Sequence, residues 1–129
     1  MQYQQLGKTD LLVSRICFGC WQQSPGFWGV IDQDAWEQAV VAAPDYGVNF
    51  IDTADAYGDG SAERRLGEVL AKDRLRDKYL IATKFFWNFS DPERRFPDTR
   101  HDHILESCEA SLRRLQTDHI DLYQIHSWD

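Results

Sequence analysis

The sequence predicts an α/β fold built on a parallel sheet, and three observations carry that expectation. Short apolar runs alternate with segments of helical periodicity along the whole chain. The order reads strand–helix–strand–helix–strand–helix–strand, the pattern of right-handed βαβ units. No internal repeat or low-complexity tract interrupts it, and 129 residues suffice for one modest domain.

The elements follow in order. Tyr3 to Leu6 and Leu11 to Val13 flank Gly7-Lys8-Thr9-Asp10 and predict a small hairpin. Ile16 to Trp21 is apolar and predicts the first strand of the parallel set. A helix is expected from about Gln33, with Asp32 as its N-cap and Trp36, Ala39, Val40 and Ala43 on its buried face. Pro44 lacks an amide donor and clashes with the preceding turn, so it ends or kinks this helix, and Gly47 marks the exit. Val48 to Ile51 reads as a buried strand running into Asp52. A second helix starts near Ser61 and buries Leu66, Val69 and Leu70; Tyr79 to Thr83 is a strand ending at Lys84. Residues 85–98 read as an aromatic-rich loop. A third helix is expected to bury Ile104, Leu105, Cys108, Leu112 and Leu115, and a last strand, Ile120 to Ile125, runs into His126.

Fourteen basic against twenty-one acidic residues give a formal charge of −7, which argues against nucleic acid or an anionic membrane as partner. No apolar run is long enough to span a bilayer and the polar start Met1-Gln2-Tyr3-Gln4-Gln5 lacks a signal-peptide core, so a cytoplasmic location is expected. Cys17, Cys20 and Cys108 are too few for a disulfide framework. Cys17-Phe18-Gly19-Cys20 spells C-x-x-C, but residues three apart on a strand face opposite ways, so both cysteines are expected to be small buried fillers. His101-Asp102-His103 resembles the H-x-H of metal hydrolases. It opens a helix, where residues two apart diverge, so no metal site is expected.

Two architectures suit a parallel sheet: the doubly wound sheet and the (β/α)8 barrel. No G-x-G-x-x-G occurs, which weakens the first. A full barrel takes about 250 residues, which leaves four strands as half of one. Three strands end in groups able to do chemistry, Asp52, Lys84 and His126, with Tyr57 five residues past Asp52. Barrel enzymes assemble their sites from strand carboxyl ends.

Residues 47–58, Gly-Val-Asn-Phe-Ile-Asp-Thr-Ala-Asp-Ala-Tyr-Gly, with Glu63-Arg64-Arg65-Leu66-Gly67, resemble the first signature of the aldo-keto reductases. Leu80 to Lys84 and Asp121 to His126 resemble the segments carrying that family's lysine and histidine. Leu6 to Leu11 and Phe18 to Trp21 resemble its capping hairpin and first barrel strand. The resemblance implies the N-terminal half of a (β/α)8 TIM barrel: a β-hairpin and four parallel strands in a single partial domain over residues 1–129. It implies hydride transfer between NADP(H) and a small aldehyde, ketone or sugar, with Asp52, Tyr57, Lys84 and His126 as catalytic tetrad. Gly19, Cys20, Trp21 and Asp52 are implied to lie by the nicotinamide ribose; Cys20 departs from the threonine often found there.

The chemistry suits those residue types. A tyrosine phenol protonates a forming alkoxide only if something stabilises its phenolate, and a nearby ammonium does so. An aspartate holds that ammonium, and a neutral imidazole donates to the substrate oxygen. Trp21, Phe85, Phe86, Trp87 and Phe89 either wall an apolar substrate or pack beneath the loop. The family's remaining cofactor contacts and its substrate-selecting loop come from the barrel's second half. The alternative expectation is therefore a non-catalytic fragment that self-associates through its open sheet edge or complements another half-barrel.

Overall fold

The computed structural model describes residues 1–24, 26, 28–91 and 94–128. Strands β1 (Tyr3–Gln5) and β2 (Leu12–Ser14) pair antiparallel, Tyr3 opposite Ser14. Asn49, just before the strand at Phe50–Asp52, fastens this hairpin to the parallel sheet: its side chain accepts from Ser14 N at 2.7 Å and donates to Leu12 O at 2.9 Å. The hairpin therefore closes the amino-terminal end of the sheet and leaves the carboxyl end open.

That sheet contains β3 (Phe18–Gly19), β4 (Phe50–Asp52), β5 (Leu80–Phe85) and β8 (Leu122–Ile125), all parallel and arranged in chain order. Sequential order has no topological switch point, which is the mark of a barrel wall rather than of a doubly wound sheet. The strand at the start is shorter than expected. Cys20 already leaves the extended conformation and Trp21–Gln23 form a 3-10 turn. Here the C-x-x-C pair splits: Cys20 is fully buried and Cys17 is exposed, so only Cys20 is the expected core filler.

Helix α1 (Gln33–Ala42) is capped by Asp32, which accepts from Ala35 N at 3.1 Å. Pro44 tightens its exit into a 3-10 turn, and Gly47 takes the left-handed cap at φ +80°. The buried stripe is Trp36, Val40 and Ala43; Ala39 is exposed, contrary to expectation. Helix α2 (Ser61–Lys72) buries Leu66, Val69 and Leu70 as expected. These side chains meet Ile51, Ile81 and Leu115 in one core between sheet and helices.

Helix α3 (His101–Leu115) departs from its apolar pattern. Leu115 is buried with Ser107 and Ser111, whereas Leu105 is exposed and Ile104, Cys108 and Leu112 are half-buried. Ser111 Oγ accepts from Arg114 Nη2 at 3.1 Å, the guanidinium whose Nε reaches Glu63 of α2, and Ser107 lies beside His103. Strand β8 is an edge of the described sheet. The segment expected as a loop holds a short antiparallel ladder, β6 (Trp87–Asn88) with β7 (Phe96–Pro97); its Pro92 lies outside the described residues. Asp98 ties it down, accepting from Asn88 Nδ2 at 2.8 Å and from the guanidinium and amide of Arg100. The Arg100 hydrogen bond above all holds that carboxyl well below the usual carboxylate range. Among the described residues no helix is long and apolar enough to cross a membrane.

Candidate active site

The parallel register brings the strand ends into one row. Asp52 closes β4 beside Gly19 of β3, and Lys84 lies near the end of β5 beside Gln124 of β8. His126 follows β8 directly, its amide donating to Phe85 O at 3.0 Å. Tyr57 comes from the turn between β4 and α2, where Gly58, Asp59 and Gly60 all take left-handed backbone (φ +58°, +55° and +78°). At position 60 an added Cβ would also sit 2.5 Å from the Arg114 side chain, which would have to shift.

These elements converge on one ammonium. Lys84 Nζ donates to Asp52 Oδ1 at 2.6 Å, to Thr53 O at 2.9 Å and to Tyr57 Oη at 3.3 Å. Its three protons thus have three named acceptors, one of them the phenol. The His126 ring meets Tyr57 edge-on at 5.5 Å and 81°. Burial foremost, and then the Lys84 charge, lowers the imidazole's pKa, so His126 is neutral near neutral pH. Its Nδ1 is buried without a partner among the described residues, which leaves Nε2 as the nitrogen available to a ligand. Trp21 lies over Tyr57 from the other side, rings 6.3 Å apart and 29° from parallel.

A cleft of about 490 Å³ opens above this cluster, lined among others by Trp21, Tyr57, Asp59, Arg95 and His126. Tyr57 and His126 face it, with Asp52 and Lys84 behind them. Of the residues expected near a cofactor, Gly19 has open space where a side chain would be, Trp21 is half-exposed and Asp52 is a third exposed. Cys20 is different. Its thiol is sealed in the core, its amide donates to Asp52 O and its carbonyl accepts from Gln23 N, so it supports the floor and offers no side-chain contact. Phe85 and Phe86 are buried, Phe85 stacking on Tyr123 at 5.0 Å, and so belong to the packing beneath the loop. His101 is exposed beside Asp102, while His103 turns inward to Ser107 Oγ at 3.2 Å.

Sequence reasoning missed a buried polar layer behind the site. Glu63 is fully buried, accepting from Thr83 Oγ1 at 2.6 Å and from Arg114 Nε at 2.6 Å. Asp55 is buried beside it, its amide 3.3 Å from Lys84 O. Burial, with the Glu63 charge second, pushes its carboxyl up to about 7. Helical periodicity places Glu63 near the inner stripe of α2, which was the signal available for it. Asp59 and Arg95, on the cleft rim, carried none.

The model of the Aldo/keto reductase family matches residues 15–129. The chain belongs to the aldo-keto reductase family. Among curated relatives, the aldo-keto reductase YhdN of Bacillus subtilis (strain 168) is 37% identical over 126 residues, covering 98% of this chain and 38% of that protein. A 6-dehydroglucose reductase of Novosphingobium aromaticivorans is 42% identical, covering 98% and 42%. Among solved structures, the holo form of aldo-keto reductase AKR11C1 from Bacillus halodurans superposes with a TM-score of 0.84 at 36% identity, over 100% of this chain and 41% of that one. This aldo-keto reductase chain therefore spans about two fifths of the length of the relatives it matches. Its hairpin and four parallel strands are one half of the (β/α)8 barrel that those structures share, in a family of oxidoreductases.

Proposed function

We propose that this chain carries the catalytic groups of an NADP-dependent carbonyl reductase, acting on a small aldehyde, ketone or sugar. The observation that supports it most is the Lys84 ammonium, which touches Asp52 and Tyr57 at once.

The residues present fit the nicotinamide-ribose end of such a cofactor. Gly19 leaves open space at the strand end, Asp52 beside it keeps a third of its side chain exposed, and Trp21 offers a flat face beside Tyr57. When bound, the reduced nicotinamide supplies the hydride. The chain's own residues do the rest. His126, neutral, donates through Nε2 to the carbonyl oxygen and orients it. Tyr57 gives its phenolic proton to that oxygen as negative charge develops, and the alcohol is released. Lys84 stabilises the phenolate left behind, and Asp52 keeps the ammonium in place and charge-compensated. One carbonyl and one proton become one alcohol for each hydride delivered. A cytoplasmic location fits a reductase of this kind.

Stoichiometry tests the reading. The purified protein is expected to consume one NADPH per molecule of carbonyl reduced. Consumption of NADPH without alcohol formation, or alcohol formed without NADPH, would overturn it.

A further inference from the structure

The rim of the cleft carries groups that the proton relay does not use. Asp59 and Arg95 form an ion pair across it, Arg95 Nη2 to Asp59 Oδ1 at 2.6 Å, with both side chains more than half exposed. Asp59 is fixed by its left-handed backbone between two glycines, and its carbonyl accepts from Arg64 Nη2 at 3.0 Å. Arg95 is steadied over the Phe89 ring at 5.2 Å. Exposed pairs of this kind add little to stability, so folding alone gives no reason for one at the mouth of the cleft. Opposite stands the Trp21 indole, 47% exposed and braced edge-on by Trp28 at 5.1 Å.

The geometry points to the Asp59–Arg95 pair as the specificity-determining residues of this cleft, selecting carbonyl substrates that carry hydroxyl groups along their chain. The substrate class rests on the carbonyl-reductase reading above; the site itself does not. Every hydroxyl both donates and accepts, which matches a carboxylate beside a guanidinium. The carbon backbone between hydroxyls presents C–H faces that suit the indole. A plain aliphatic aldehyde offers the pair no hydroxyl beyond its carbonyl and gains nothing from it. An anionic one competes with Asp59 for the guanidinium and meets its repulsion.

Two measurements test this, on the wild-type protein, Arg95→Met and Asp59→Asn. Both positions are exposed, and asparagine tolerates left-handed backbone, so folding is retained. The first is titration with xylitol and with 1-pentanol, followed by the Trp21 indole N–H resonance. Xylitol is expected to shift it saturably, with about tenfold weaker affinity in R95M and an intermediate value in D59N. No saturable shift with xylitol, an equal response to 1-pentanol, or equal affinity in R95M overturns the site. The second is the ratio of kcat/KM for glyceraldehyde to that for propanal, expected to fall about tenfold in R95M through KM. An unchanged ratio overturns the selection while the reductase reading stands. If neither aldehyde is reduced by wild type and xylitol binding still depends on Arg95, the reductase reading fails and the hydroxyl-binding site stands.

Discussion

Lys84 is oriented by a carboxylate, a backbone carbonyl and a phenol, so its position is fixed by the end of β4 as much as by its own strand. Behind it Asp55 has the opposite situation: a buried carboxyl whose Oδ1 has no hydrogen-bond partner among the described residues. Its folded pKa is raised from 3.8 to about 7. The folded chain therefore keeps a proton that the unfolded chain releases. Stability from this group is fully present below pH 3.8 and is lost as pH rises toward 7. Asp55→Asn cannot ionise, so its stability relative to wild type should grow by on the order of 3 kcal/mol between pH 4 and pH 8. His126 has a lowered pKa and the opposite slope, losing stability as pH falls below 6.5, but it is common to both proteins and cancels. Denaturant midpoints across that range check this; parallel profiles would show that Asp55 is not desolvated. The cluster of Asp52, Tyr57, Lys84 and His126 was legible in the sequence because each residue follows an apolar run or stands in a fixed motif. Asp55 stands in the same motif, yet spacing does not reveal burial.

At the scale of elements, α2 and α3 touch where Gly67 meets the chain at Arg114 and Leu115. A Cβ at 67 would lie 2.5 Å from Arg114 O and 2.7 Å from Leu115 C, both backbone atoms that cannot rotate away. Alanine normally favours a helix over glycine by about 1 kcal/mol. Here Gly67→Ala must force the helices apart, and a net loss of about 1–3 kcal/mol is expected from urea unfolding. A gain would show that the two helices do not press together at position 67. The same interface explains what periodicity misread. Helix α3 buries Ser111 against Arg114, whose guanidinium reaches Glu63 of α2, and buries Ser107 beside His103. Its leucine-rich stripe, the obvious buried face by pattern, is half-open instead. The ladder of β6 with β7 was hidden for a different reason: two residues per strand are too few to show alternation.

Across the whole molecule, sequential strand order and a hairpin at one end leave the opposite end for chemistry, as in barrels. That much was readable from the alternation of elements and from the residues ending each strand. What closes the barrel was not, since β3 and β8 each have one unpaired side in the described sheet, and Ile125 and Leu105 stay half-exposed there. Unpaired edges seek partners. The 129-residue chain by itself is therefore expected to sediment as a dimer or larger species, and Ile125→Lys, an outward charge on that edge strand, to shift it toward monomer. A wild-type monomer at high concentration would contradict this.

The proposed reduction turns on Tyr57 delivering the proton. The direct measurement is NADPH-dependent carbonyl reduction by Tyr57→Phe, alongside NADPH binding by the same variant. The phenyl ring keeps its contacts with Trp21 and His126 and lacks only the hydroxyl that Lys84 touches. Turnover is expected to fall by about a hundredfold to ten-thousandfold with binding nearly unchanged. Turnover close to wild type would contradict the account.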